Sequence, residues 1–193
     1  MSFVTGTQAE LLYTLTTAIT KNTYTAEAAF SGVLGTNTVC YLPAGWLLND
    51  SPNPVGRALH LEAYGTTATT SAATLAVALG MDPTAGTKNQ GITVAGALAP
   101  TAAITVPWRF DAWYTCTAFL TSTATFQVNG TWRVESVASG GVPTTTAQVV
   151  GFSGTHTGID PRVTNYIELF GTWSASASGN TTTVQQMFLW GLN

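Results

Sequence analysis

The chain has 193 residues, of which 8% are charged, and its six basic and nine acidic residues give a net charge of −3. An ordinary soluble protein has about 25% charged residues, so solubility here must rest on hydroxyl groups, glycine and backbone polarity. The basic residues are scattered and none are adjacent, which excludes the basic stripe expected of a protein with a nucleic-acid partner. No apolar run approaches the length of a membrane helix, so the sequence predicts no membrane partner.

The length fits one domain of the β-sandwich type, or one such domain with an arm. The first residues lack a basic segment followed by an apolar one, which predicts synthesis in a cytoplasm without export by the general secretory route. Threonine supplies roughly a fifth of the chain. Because this β-branched residue suits the solvent face of a sheet and fits helices poorly, the composition favours strands.

The N-terminal segment shows no strong periodicity. Its only helix-like stretch, residues 8–19, contains Thr14, Thr16 and Thr17, which disfavour a stable helix. The sequence therefore predicts an extended N-terminal arm with one strand over residues 1–30, followed by a single sandwich domain over residues 31–193.

Alternation with a period of two dominates the rest of the chain and indicates strands. The clearest predicted strands are 58–64, 74–81, 106–120, 125–136, 165–175 and 182–192, and weaker candidates are 38–42, 92–98 and 147–152. Residues 121–123 predict a turn that pairs 106–120 with 125–136 as an antiparallel hairpin. Eight or nine strands separated by Gly- and Pro-rich loops predict an all-β fold, a jelly-roll-like antiparallel β-sandwich.

The alternation also assigns side chains to faces. The predicted core face includes Trp108, Phe110, Ala112, Tyr114, Cys116, Ala118, Leu120, Phe126, Trp132, Val134, Trp173 and Trp190. Trp113 and Phe119 fall on the opposite, Thr-rich face, where aromatic side chains could line a ligand site or a subunit interface, and the enrichment favours the interface. Leu11, Leu12 and Tyr13 of the predicted arm complete the candidate interface.

The two histidines do not form a recognisable catalytic motif. His60 falls on the outward face of a strand beside Glu62, which predicts a solvated surface residue. Ser153, His156 and Asp160 occur within eight residues of one another, but the strand–turn–helix context of an activated serine is missing. The sequence therefore predicts no catalytic residue, and the chain is not expected to be an enzyme.

Metal and cofactor motifs are also missing from the sequence. No paired Cys or His spacing typical of zinc occurs, and the Asp residues are isolated. We therefore predict no metal ligand, no cofactor-binding residue and no cofactor. Cys40 and Cys116 are predicted to be small buried residues rather than a disulfide, because no export signal places the chain in an oxidising compartment.

Five segments in order along nearly the whole chain resemble small jelly-roll virion proteins of tailed phages, especially those that infect actinobacteria. They are residues 10–14 (ELLYT), 40–44 (CYLPA), 57–65 (RALHLEAYG), 106–110 (VPWRF) and 188–193 (FLWGLN). The resemblance implies a non-enzymatic virion component, most simply a capsid decoration or minor capsid protein located in the virion. Its partners would be the major capsid protein and further copies of itself, with a trimer expected because capsid threefold positions recruit trimers.

Two other hypotheses come from different functional classes. One is a minor tail protein or a receptor- or carbohydrate-binding β-sandwich module. The other is a glycan-active enzyme, which the scarcity of paired carboxylates disfavours.

Overall fold

The computed structural model describes residues 9–22, 25–30, 39–48, 53–69, 73–88, 91–94, 105–135 and 147–192. In these residues the fold is all-β, as predicted, with twelve strands and one short 3-10 turn at Trp46–Leu48. No helix in the described ranges is long and apolar enough to cross a membrane.

The twelve strands follow one another along the chain as listed here. They are β1 (Ala9–Thr14), β2 (Ile19–Asn22), β3 (Ala28–Ala29), β4 (Tyr41–Leu42), β5 (Ala58–Ala68), β6 (Leu75–Asp82), β7 (Ile92–Thr93), β8 (Thr105–Leu120), β9 (Thr123–Val134), β10 (Gln148–Ile159), β11 (Asn165–Trp173) and β12 (Thr181–Leu192).

The strands form two antiparallel sheets packed as a sandwich. The large sheet has the order β1-β12-β5-β8-β9-β10, with β2 also paired to β12, and the small sheet has the order β3-β11-β6-β7, with β4 also paired to β11. Along the chain, β1 and β2 lie in the large sheet, β3 and β4 in the small sheet, β5 in the large sheet, β6 and β7 in the small sheet and β8 in the large sheet. Strand β11 then lies between β3 and β6, and β12 lies between β1 and β5. This interleaved order is that of a jelly roll, and the β9–β10 hairpin extends the large sheet beyond it.

The inner faces of the two sheets meet in one hydrophobic core. Along β8, exposed and buried side chains alternate from Thr105 to Cys116, as a half-buried strand requires. The largest fully buried side chains include Phe110, Tyr114, Phe126, Trp132 and Trp173. The core predicted from the alternation is confirmed at these positions.

Two β-bulges reverse the predicted faces at strand ends. In β8 the pairing with β9 shifts between Cys116 and Ala118, so Phe119 packs against the core and Leu120 is 75% exposed. The predicted faces of residues 118–120 are therefore wrong. The cause is the extra residue of the bulge, which breaks the period of two.

The second bulge lies in β12, where the pairing with β5 shifts between Val184 and Gln186. Val184 is buried before the bulge, and Met187 and Leu189 are buried after it. Trp190 consequently lies on the outer face of the large sheet and is only partly buried. Its assignment to the core is wrong for the same reason as that of Leu120.

The described part of the predicted N-terminal arm belongs to the sandwich. Strands β1 and β2 pair with β12, and β3 pairs with β11. Tyr13, Leu15, Ile19 and Phe30 are buried in the core. The strands have only two to six residues and β1 is interrupted by a bulge, so the alternation that would reveal them is weak.

The remaining strand predictions hold to different extents. The hairpin of β8 and β9 is confirmed, with Thr121 and Ser122 as the turn. The predicted strand 147–152 corresponds to the longer strand β10. The predicted strands 38–42 and 92–98 correspond to the two-residue strands β4 and β7. Residue 38, residues 95–98 and residue 136 lie outside the described residues.

Both cysteines are buried free thiols, as predicted. Burial raises the pKa of Cys40 and of Cys116. A thiol in such surroundings stays protonated and is a poor nucleophile.

The face assignment can be tested with two tryptophans on opposite sides of the large sheet. Trp132→Ala should lower the free energy of unfolding by about 3–5 kcal/mol, because it leaves a cavity between the sheets. Trp113→Ala should cost about 1 kcal/mol or less, because that indole is 46% exposed. Denaturant unfolding measures both values, and equal losses would contradict the assignment.

A glycine in the centre of the large sheet provides a second test. A methyl group at Gly65 would overlap the carbonyl oxygen of Thr183 and the indole of Trp108. Gly65→Ala should therefore destabilise the fold by about 1–3 kcal/mol or more. Gly151→Ala, where a methyl group would meet no atom within 4 Å, should change stability by no more than about 0.5 kcal/mol. Thermal or denaturant unfolding of the two variants tests whether glycine is required at position 65 to make room for the indole of Trp108.

Candidate functional site on the outer face of the large sheet

The outer face of the large sheet carries a cluster of aromatic and ionisable side chains in three adjacent rows. Each row runs across β12, β5, β8, β9 and β10 in register. The first row is Trp190, His60, Trp113, Asn129 and Ser153; the second is Phe188, Glu62, Asp111, Thr131 and Gly151; the third is Gln186, Tyr64, Arg109, Arg133 and Val149.

His60 and Trp113 form a stacked pair at the centre of the first row. Their ring centroids are 4.0 Å apart and their planes differ by 13°. The Nε2 atom of His60 lies 3.0 Å from Oδ2 of Asp111, which fixes the orientation of the imidazole. The His60 side chain is 16% exposed, so the prediction of a solvated surface histidine is wrong.

Glu62 and Asp111 lie directly opposite each other, an arrangement in which two carboxylates repel. Arg109 compensates for this repulsion, since its Nη2 atom is 3.0 Å from Oε1 of Glu62 and 3.5 Å from Oδ2 of Asp111. Tyr64 donates a hydrogen bond of 3.0 Å to the same Glu62 oxygen, and the Arg109 guanidinium lies over the Tyr64 ring at 5.4 Å. Partial burial and this hydrogen bond raise the pKa of Tyr64.

A depression of about 360 Å³ opens beside this network. Its lining residues are Arg109, Asp111, Thr131, Arg133 and Val149. They belong to the second and third rows on β8, β9 and β10. The depression therefore combines two guanidinium groups, one carboxylate, one hydroxyl and one apolar side chain.

The cluster also includes the one group of three His, Cys, Asp or Glu side chains in the described ranges that is compact enough to hold a metal ion. Ligand atoms of His60, Glu62 and Asp111 lie within 4.8 Å of one another. Arg109 already pairs with both carboxylates, so a divalent cation would have to compete with a guanidinium. The prediction of no metal site stays a prediction.

The five candidate interface residues do not share one surface. Leu11 is 46% exposed and lies opposite Trp190 in register, so it shares the outer face with Trp113. Leu12 and Phe119 are partly buried and pack against the core, and Tyr13 is buried. The outer face thus keeps Leu11 and Trp113 as exposed apolar residues.

The residues Ser153, His156 and Asp160 do not converge. Ser153 is exposed on the outer face, whereas His156 is buried and stacks on Tyr114 with 5.9 Å between ring centroids. Asp160 accepts hydrogen bonds from Arg162, which lower the pKa of its carboxyl to about 2. Their closeness in sequence reflects neighbouring positions on and after β10 and no shared site.

The sequence contained one signal for the cluster that the motif search did not use. Of the fifteen charged residues in the chain, five lie on or directly beside this face. These are Glu62, Arg109, Asp111, Arg133 and Glu135. In a chain with so few charged residues, their concentration on adjacent strands indicates that the outer face of the large sheet is a candidate functional surface.

No protein-family model matches the chain, and no curated protein is significantly similar to it in sequence.

A second group of carboxylates lies on the small sheet. Glu168 and Asp82 are both buried. The backbone N–H of Gly86 donates to Oε2 of Glu168 at 2.6 Å, and that of Thr84 donates to Oδ1 of Asp82 at 2.7 Å. Burial raises the pKa of Glu168; the charge of Asp82 raises it further, and the Gly86 N–H opposes the change.

The raised pKa of Glu168 makes stability depend on pH with a definite sign. The folded state holds this proton more tightly than the unfolded state, so the resulting stability is present at low pH and is lost as the pH rises through the folded pKa. Glu168→Gln keeps an acceptor for Gly86 without the charge. Its free energy of unfolding should increase relative to that of the parent protein between about pH 4 and pH 7, by about 1.4 kcal/mol for each unit of the shift.

Urea unfolding of both proteins across that pH range measures the difference. Two curves that stay parallel from acid to neutral pH would contradict a raised pKa at Glu168.

Proposed function

We propose that this chain is a non-enzymatic structural protein of a bacteriophage particle, a decoration protein that binds the outside of the assembled major-capsid shell. The jelly-roll sandwich agrees with the resemblance of its sequence segments to phage virion proteins. The observation that supports the proposal is that β10, an edge strand of the large sheet, is long and carries no charged residue.

β10 is a long edge strand without the usual protection. Its twelve residues include no charged residue and no proline, and Val149 is 58% exposed. It pairs with β9 on one side, and no strand in the described part of the chain pairs with its other side. Proteins that remain monomeric guard such edges with charges, prolines or bulges. A bulge interrupts β10 only near its end, between His156 and Ile159.

An unguarded edge suits a protein whose final state is an assembly. The side of β10 that no described strand occupies can accept a strand of a neighbouring copy, or a strand of the major capsid protein. The low charge of the chain permits copies to approach closely. A homotrimer at a threefold position of the shell is the expected form.

The decoration mechanism requires no catalysis. A protein that binds the assembled shell and not its separated subunits stabilises the shell by mass action. The virion is then its location and the major capsid protein its partner.

The exposed Trp113 favours a second candidate, a minor tail protein or receptor-binding module. The copy number in purified particles separates the two, since a decoration protein covers the capsid faces and a tail-tip protein is present in few copies. Quantitative mass spectrometry of the particle gives this number.

An edge substitution tests the assembly role of β10. Thr155→Lys places an ammonium group on the exposed side of β10 and should weaken self-association and particle binding at least tenfold, because a charged edge resists strand addition. Thr115→Lys is the matched control, since Thr115 and Thr155 flank Gln127 in one row and Thr115 lies on an interior strand. Both variants should keep the parent unfolding free energy within about 0.5 kcal/mol.

Light scattering measures the oligomer, and co-sedimentation with particles that lack the protein measures binding. Unchanged association of Thr155→Lys, or equal weakening by Thr115→Lys, would count against the edge. A parent protein that neither oligomerises nor binds particles would overturn the decoration function itself.

A further inference from the structure

We propose that the outer face of the large sheet binds a neutral carbohydrate, with Trp113 as the stacking platform and the adjacent depression as the polar subsite. This site is independent of whether the protein sits on the capsid or the tail.

The first requirement for such a site is an aromatic ring that is exposed and held in place. The imidazole of His60 covers one face of the Trp113 indole, and Asp111 anchors that imidazole. Trp113 nevertheless remains 46% exposed, so part of its surface is available to a ligand. An aromatic ring fixed before binding loses little conformational freedom when an apolar sugar face packs on it.

The second requirement is a set of polar groups that can distinguish hydroxyls. Asp111 accepts hydrogen bonds through two oxygens, Arg109 and Arg133 donate through planar forks, and Thr131 can do either. All four line the depression, and Val149 adds an apolar contact. Asp111 and Trp113 are two residues apart on one face of β8, about 7 Å along the strand. A disaccharide can therefore contact the indole and the depression together.

The charges at this surface favour a neutral ligand. Three carboxylates, Glu62, Asp111 and Glu135, face two guanidiniums, Arg109 and Arg133, and the groups pair with one another. Carboxylates already pair with both guanidiniums, so neither is free to bind an anionic glycan, and a cation would meet the guanidiniums. A polyol with many hydroxyls and no charge fits the alternation of donors and acceptors.

Stability alone does not explain why the charges gather here. Surface ion pairs contribute about 0–1 kcal/mol each to stability. The rest of the chain has few charged residues. Five of its fifteen charged residues lie on or directly beside the face that exposes Trp113. Recognition of a ligand with directional hydrogen bonds accounts for both features.

The test is an array of neutral oligosaccharides built from glucose, galactose, mannose and N-acetylglucosamine, with uronic acid and sialic acid glycans on the same surface. We expect the full-length protein to bind at least one neutral glycan saturably and the acidic glycans more weakly. Calorimetric titration with the best neutral glycan then gives the affinity of each variant.

Trp113→Ala and Asp111→Asn should each weaken binding at least tenfold, and Trp113→Phe should retain part of the affinity. Leu120→Ala, which removes an exposed apolar side chain from the far end of β8, should bind as the parent does. Circular dichroism and unfolding curves verify that each variant is folded.

No saturable binding to any neutral glycan, a preference for acidic glycans, or parent affinity in Trp113→Ala would each overturn the proposal. Loss of self-association in Trp113→Ala without any glycan binding would assign the face to a second copy of the chain instead. The Thr155→Lys result is separate, because Thr155 does not line the depression.

Discussion

The pairing of β5 with β8 in the middle of the large sheet sets both the core and the outer surface. The register is unbroken for all eleven residues of β5, from Ala58 opposite Thr115 to Ala68 opposite Thr105. Because side chains alternate, a slip of one residue would expose the buried Leu61 and bury Glu62. The apolar inner face therefore holds the outer cluster in place, while the ion pairs of that cluster contribute little to the choice of register.

The fold class could be predicted because most strands alternate cleanly, and the β8–β9 hairpin because its turn is short and its strands are long. The failures occur where the alternation is locally interrupted. The bulges at residues 117 and 185 each insert one residue without a Gly or Pro to mark it, so Phe119 and Trp190 were assigned to the wrong faces. The N-terminal strands are too short to show a clear period, and a bulge interrupts β1 between Leu11 and Tyr13.

The candidate site could be predicted only in halves. Alternation placed His60 and Glu62 together on one outward face, and Trp113 with Asp111 on another. No local sequence feature indicates that β5 and β8 are neighbours, because about fifty residues separate the paired positions His60 and Trp113. The register between the two strands depends on the packing of the whole core. A histidine that looked solvated on an isolated strand becomes a stacked, carboxylate-bound ring once the second strand lies beside it.

The scarcity of charge connects the two proposed surfaces. An even distribution of the few charges would place some on the edge strand β10 and fewer on the outer face. Instead, β10 carries no charged residue, and charged residues are grouped on β5, β8 and β9. Val149 belongs to both surfaces, since it lies on β10 and lines the depression. A strand added beside β10 would lie about 4.8 Å beyond it in the plane of the sheet, and Trp113 lies two strands away on β8. Assembly at the edge and ligand binding on the face are therefore compatible.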